Sequence, residues 1–151
     1  MRAAESDFYK LVDYPASDDT DLKLEICSMT MLADGNLMVG TRLGDIFYVE
    51  NALDPAKAKF TKFAQGLNHP LGLLEYKGAI YLAQRGELTR LRDEDGDHVA
   101  DSFETVCDKW AISGNYHEFN FGPRLDKDGY MWVTLNKPFG KEPYGRAPWR
   151  G

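Results

Sequence analysis

The sequence predicts an all-β protein: a β-propeller fragment of roughly two and a half to three four-stranded blades, from a parent of six. Three segments share one layout, in which an apolar strand, a glycine-containing turn and a second strand with a polar end follow one another. They are MTMLADGNLMVGTRLGDIFYV from Met29, LGLLEYKGAIYLAQRGELTRL from Leu71 and FNFGPRLDKDGYMWVTLN from Phe119. Their turn glycines Gly35, Gly78 and Gly129 stand 43 and 51 residues apart, and Thr41-Arg42 returns as Gln84-Arg85 after 43 residues. Short strands repeating every 40 to 50 residues or so have the period of a propeller blade.

Each element follows from local chemistry. Runs rich in Val, Ile, Leu, Tyr and Phe, separated by turn pairs such as Asp34-Gly35 and Lys77-Gly78, place the first blade's strands near 24–32, 37–42, 45–50 and 58–63. The second blade takes 71–75, 79–84, 87–92 and 102–107, and the third supplies 117–122 and 130–135. Residues 1–21 form an N-terminal segment in which FYKLV reads as one more strand of a closing blade. The blades then span 22–63, 64–110 and an incomplete 111–151, ending in the Pro/Gly-rich NKPFGKEPYGRAPWRG. Propellers have at least four blades, so the expectation is a piece of a larger protein, with open apolar faces and strand edges where the remainder of the propeller belongs.

Composition narrows the function. With 43% hydrophobic residues the chain can build a packed core, and a net charge of −6 without a basic run argues against a nucleic-acid partner. No run has the length of a signal peptide or a membrane span. Cys27 and Cys107 form no CxxC or CxxCH motif; they read as small buried apolar residues or as a disulfide. Trp110, Trp132 and Trp149 read as core or inter-blade packing, with Trp149 also placed to line a cleft.

DEDGDHVADSFE, from Asp93 to Glu104, has the ligand spacing of an EF-hand calcium loop. Asp93, Asp95, Asp97, Asp101 and Glu104 fall at positions 1, 3, 5, 9 and 12, and Val99 offers its carbonyl at position 7. His98 stands at position 6, where the turn favours glycine. The loop lies between strands, not helices; it reads as a structural Ca2+ site, against an acidic solvated turn.

Propeller topology sends this loop to one face and other polar residues to the opposite one. Arg42 and Arg85 lie in turns there, His69 and His117 at strand entries, and Asn136 with Lys137 at a strand end. His117 is the candidate general base, since an imidazole titrating near neutrality can accept a hydroxyl proton. His69, beside Pro70, reads as a loop-packing residue. Arg42 and Arg85 suit an anionic cofactor or substrate, or else salt bridges to Asp45 and Glu87.

The repeated segments, together with GLNHPLGLLEYKGAIYLAQRGELTRLRDEDGDHVAD and PWRG, resemble the propeller of glucose/sorbosone dehydrogenase-like proteins from about residue 22 to 151. The likeness is strongest to the membrane-bound dehydrogenase branch of planctomycete-type bacteria, often joined to c-type haem domains. The resemblance implies a sugar or polyol substrate, pyrroloquinoline quinone as acceptor, and a periplasmic or extracellular location. A c-type cytochrome partner would lie in a further domain outside this chain. It also implies that His117 takes the hydroxyl proton, with Asn136 where the family places an aspartate. A non-catalytic propeller that binds carbohydrate or protein is the alternative.

Overall fold

In the computed structural model, residues 8–14, 24–110, 112 and 117–136 are described. Ten strands and no helix make up these residues: β1 (Ile26–Met31), β2 (Leu37–Thr41), β3 (Ile46–Glu50), β4 (Lys59–Ala64), β5 (Leu73–Tyr76), β6 (Ala79–Ala83), β7 (Leu88–Arg92), β8 (Ser102–Cys107), β9 (Asn120–Leu125) and β10 (Met131–Leu135). They form three antiparallel sheets in chain order, β1-β2-β3-β4, β5-β6-β7-β8 and β10-β9. Residues 8–14 contain no strand, contrary to the reading of FYKLV; Tyr14 donates its hydroxyl to the Ala52 carbonyl instead. Residues 113–116 and 137–151, which include Lys137 and Trp149, lie outside the described residues.

The turns recur as the sequence repeats. In three of them, 32–36, 41–45 and 126–130, the first residue's N–H reaches the fifth residue's carbonyl and the fourth residue's N–H reaches the first residue's carbonyl. The fourth residue is Gly35, Gly44 or Gly129, each with positive φ, as a type I turn closed by a left-handed residue demands. An aspartate side chain reinforces the outer two: Asp34 accepts from Asn36 N at 2.8 Å and Asp126 from Tyr130 N at 2.9 Å.

The first two sheets share a core. Met38, Ile46, Tyr48, Phe63 and Leu67 pack with Leu73, Ile80, Leu82 and Leu91. A second cluster, Val39, Phe47, Val49 and Ala52, buries the opposite face of β2 and β3. Those two strands are therefore apolar on both sides, while the outermost strands β4 and β8 carry exposed Lys59, Lys62 and Glu104, charges suited to blunting an edge.

Successive sheets meet along their inner strands, β5 against β1 and β2, and β9 against β5 and β6. The backbones approach closely there: a Cβ on Gly72 would collide with the Gly122 carbonyl oxygen, and its carbon and nitrogen would lie 2.8 Å away. Apolar side chains stand exposed at both ends of this series, Met29 and Met31 on the first sheet and Phe121 and Trp132 on the third. Trp132 is thus not core; among the described residues no further strand lies beyond β10 to cover it. Both cysteines are free. Among the described residues no helix is long and apolar enough to cross a membrane.

Gly72→Ala should lower unfolding stability by about 2 kcal/mol or more, because the obstacle is backbone that cannot turn aside. Gly86→Ala, whose Cβ would meet only Ile112 Cδ1 at 4.0 Å, is the matched control and should stay within about 0.5 kcal/mol. Urea denaturation of the two variants checks the pair.

Candidate functional site

The acidic loop joins β7 to β8. Its backbone folds onto its own carboxylates: Asp93 accepts from Gly96 N at 2.7 Å and His98 N at 2.9 Å, and Asp101 accepts from Glu94 N at 2.7 Å. Burial pushes the Asp93 carboxyl up, but these N–H groups and His98 outweigh it and hold its pKa below the ordinary value. Asp93, Asp95 and Asp101 bring one carboxylate oxygen each within 4.8 Å of one another. That set of hard oxygen donors fits a divalent cation such as calcium.

Two expected ligands point elsewhere. Asp97 accepts from Val99 N at 2.8 Å, and Glu104, on β8, forms an ion pair with Arg90 directly across the sheet. A helix after position 9 would curl position 12 back to the loop. An extended strand instead carries Glu104 about 10 Å along from Asp101. His98 meets the demand of position 6 with a φ of 66°. Its ring stacks on Tyr48, 4.0 Å between centroids and 10° from parallel. Tyr48 in turn donates to Asp34 at 2.7 Å and accepts from Asn36 Nδ2 at 2.7 Å, tying the loop to the β1–β2 turn.

The other end of the sheets gathers the second group of predicted residues. Leu67 N reaches Gly44 O at 3.0 Å and Arg85 N reaches Asn68 O at 3.2 Å, so residues 65–72 lie between the Arg42 turn and the Arg85 turn. Arg42 pairs with Glu25, both exposed, and Arg85 donates through Nε to the Glu118 carbonyl at 3.1 Å with Nη2 3.9 Å from the Glu118 carboxylate. Asp45 and Glu87, the anticipated partners, are taken by Lys62 and by Gln84, Thr89 and Thr105. His117 is half-buried at the entry to β9. Asn136 sits beside it, but its amide donates to the His117 backbone carbonyl at 3.0 Å.

Glu118 and Asn120, which sequence reasoning passed over, are almost fully buried at 2% and 1% exposure. Asn120 Nδ2 donates to the carbonyls of Gln84 and Arg85 at 2.8 and 2.7 Å, while its Oδ1, also buried, has no partner among the described residues. Trp110 Nε1 donates to the same Arg85 carbonyl at 3.1 Å. The strand alternation HEFNF held a signal: Glu118 and Asn120 must share a face.

His69 has left-handed φ, 51°. Its ring packs edge-on against Phe119, 5.7 Å between centroids, and Nδ1 lies 3.0 Å from Asn68 Oδ1. Burial first, then the charges of Arg85 and Arg42, hold its pKa below the ordinary histidine value.

These features define an all-β chain of serially packed antiparallel sheets, with one polar, histidine-bearing loop end and one acidic end. The family profile described as a domain of unknown function, DUF7133, matches residues 11–143, and the chain belongs to that family. No curated protein and no solved structure matches it.

Tyr48 gives the acidic end a pH signature. Burial, then its bond to the Asp34 carboxylate and that group's charge, push its pKa up from the ordinary 10 to about 12. A folded-state pKa raised in this way contributes stability that is complete below pH 10 and is lost as pH climbs toward 12. Tyr48→Phe should therefore flatten the decline of the urea midpoint across that window. Alkaline absorbance titration should show that the variant lacks a phenol ionising near pH 12.

Proposed function

We propose that the chain is part of a β-propeller of the quinone-dependent sugar or alcohol dehydrogenase type, with its ligand face at the end that carries Arg42, His69, Arg85 and His117. The observation that carries this reading is the series of two four-stranded meanders and a third antiparallel pair, packed inner strand to inner strand, whose connecting loops converge on that end. The quinone rests on the likeness to glucose/sorbosone dehydrogenase-like proteins. Pyrroloquinoline quinone, when bound, would supply the two-electron acceptor.

The chain's own residues divide the work. His117, at the mouth of β9, is the group to take the hydroxyl proton of a sugar or polyol. Arg42, in an exposed ion pair that exchanges at little cost, suits an anionic group of cofactor or substrate. Arg85 is engaged with Glu118, so its part is to shape the face. A non-catalytic binding module is the second reading, favoured by the Asn136 amide, which supports the His117 backbone and offers no carboxylate to the ring.

With quinone and an artificial electron acceptor, the full-length protein should oxidise a sugar or polyol. His117→Ala should lower turnover by about a hundredfold while quinone binding persists. If an absorbance titration shows no uptake of quinone, the dehydrogenase reading falls and the binding module remains.

At the opposite end, Asp93, Asp95 and Asp101, with the Val99 carbonyl, would hold a structural calcium ion whose role is to fix the loop against the first sheet. A ligand that binds only the folded state raises its Tm, by an amount equivalent to about 2.7 kcal/mol at a hundred times Kd. Millimolar calcium should raise the melt of the wild type and of Glu104→Gln alike, since Glu104 is engaged with Arg90. Asp101→Asn should lose most of the rise. Equal responses from wild type and Asp101→Asn would reduce the loop to an acidic turn.

A further inference from the structure

We infer that His69 is a ligand-binding residue of this face: its Nε2 accepts a hydrogen bond from a hydroxyl of an acidic sugar whose carboxylate is held by Arg42. The inference rests on the proposed ligand face and names the substrate class, a hydroxylated carboxylic acid such as a uronate, in place of a neutral sugar.

The Asn68 side chain and the Phe119 ring hold the imidazole in place. When Nδ1–H donates to Asn68 Oδ1, 3.0 Å away, the Nε2 lone pair is left unshared, and no described residue bonds to it. Burial and the two flanking guanidinium charges favour the neutral ring, the form that accepts. The backbone beneath it is fixed from three sides. Asn68 N donates to Gln84 Oε1 at 2.6 Å, Asn68 O accepts from Arg85 N, and Pro70 O accepts from Ser28 Oγ at 2.5 Å. A left-handed histidine on a loop so thoroughly tied is a strained conformation that its surroundings impose, a pattern that clusters at ligand sites.

The charges around the ring select the ligand. Arg42 and Arg85 disfavour a metal ion or a cationic ligand at Nε2. In a chain of net charge −6, this end offers an exposed guanidinium, Arg42, whose partner Glu25 is also exposed. A carboxylate can replace Glu25 in bidentate geometry at little cost. A ligand that satisfies both groups carries a negative charge and a hydroxyl.

The test is calorimetric titration of the full-length protein with D-galacturonate and with D-galactose. Galacturonate should bind, and galactose should bind at least tenfold more weakly. His69→Asn keeps a residue that tolerates positive φ but is too short to reach the ligand, and it should weaken galacturonate by about tenfold, the usual worth of one hydrogen bond. Arg42→Gln should bring galacturonate down to the level of galactose. In the wild type the 15N resonance of His69 Nε2 should shift when galacturonate is added, a readout that needs no variant to fold. An unmoved resonance, undiminished binding by His69→Asn or equal binding of the two sugars would overturn the inference. Galacturonate binding without quinone uptake would sustain it and remove only the dehydrogenase reading; quinone uptake without galacturonate binding would do the reverse.

Discussion

The linker from Gln65 to Gly72 touches all three sheets, and the arrangement of the molecule depends on it. Leu67 N is bonded to the first sheet's β2–β3 turn, Asn68 to Gln84 and Arg85 of the second, and Pro70 O to Ser28 on β1. Gly72 then lets the chain pass against Gly122 of the third sheet. Each connection uses backbone groups that would otherwise be orphaned in a partly buried loop, so the linker satisfies its own hydrogen bonds by fixing the spacing of its neighbours. Leu67 adds its side chain to the core shared by the first two sheets. Residue 69 inherits that rigidity: its side chain projects from a segment that cannot move without opening sheet contacts.

The same constraint accounts for the inverted polarity where the chain enters β9. A strand on a sheet is expected to turn apolar residues inward and polar ones out. Here Glu118 and Asn120 are buried while Phe121 is 45% exposed. The inward face meets the end of β6 and the turn after it, where the carbonyls of Gln84 and Arg85 emerge from the ladder and need donors. Asn120 supplies both through one amide, Trp110 adds a second donor to the Arg85 carbonyl, and Arg85 bonds back to Glu118. Leaving those carbonyls unpaired would cost about 1–3 kcal/mol each, comparable to what burying a phenylalanine gains, so polar groups win the inward positions.

The sequence made the strands of the first two sheets legible to within about two residues, because hydrophobic runs and turn pairs coincide there. The third sheet was displaced: strands expected at 117–122 and 130–135 lie at Asn120–Leu125 and Met131–Leu135. Pro123, which cannot donate to a ladder, lies inside β9. A register irregularity opposite, between Trp132 and Thr134, absorbs the Gly122-Pro123 step and lets β9 continue. Among site residues, the convergence of Arg42, Arg85, His117 and Asn136 on one end followed from strand order alone. What each one bonds did not, since Glu25 and Glu118 lie 17 and 33 positions away in the chain. His69, read as a loop-packing residue, does pack its ring edge-on against Phe119, but nothing local reveals its left-handed backbone.

The acidic loop shows how far a spacing rule travels when its flanks change. EF-hand spacing presumes a helix on the far side, and only the part of the rule that depends on the loop's own turns survives between two strands: Asp93, Asp95 and Asp101 converge, and His98 takes the left-handed conformation of position 6. The departure at that position then has a physical reason. Glycine would relieve the backbone, but it would also remove the ring stacked on Tyr48, and with it the contact that joins this loop to the first sheet. Ala100, whose N–H reaches the Phe63 carbonyl at 2.7 Å, makes the second attachment. Histidine accepts about 1–2 kcal/mol of left-handed strain and returns an aromatic contact between sheets, worth about 0.5–1.5 kcal/mol beyond the area it buries. The two nearly cancel, so position 6 is governed by how the loop docks on Tyr48 as much as by how it turns.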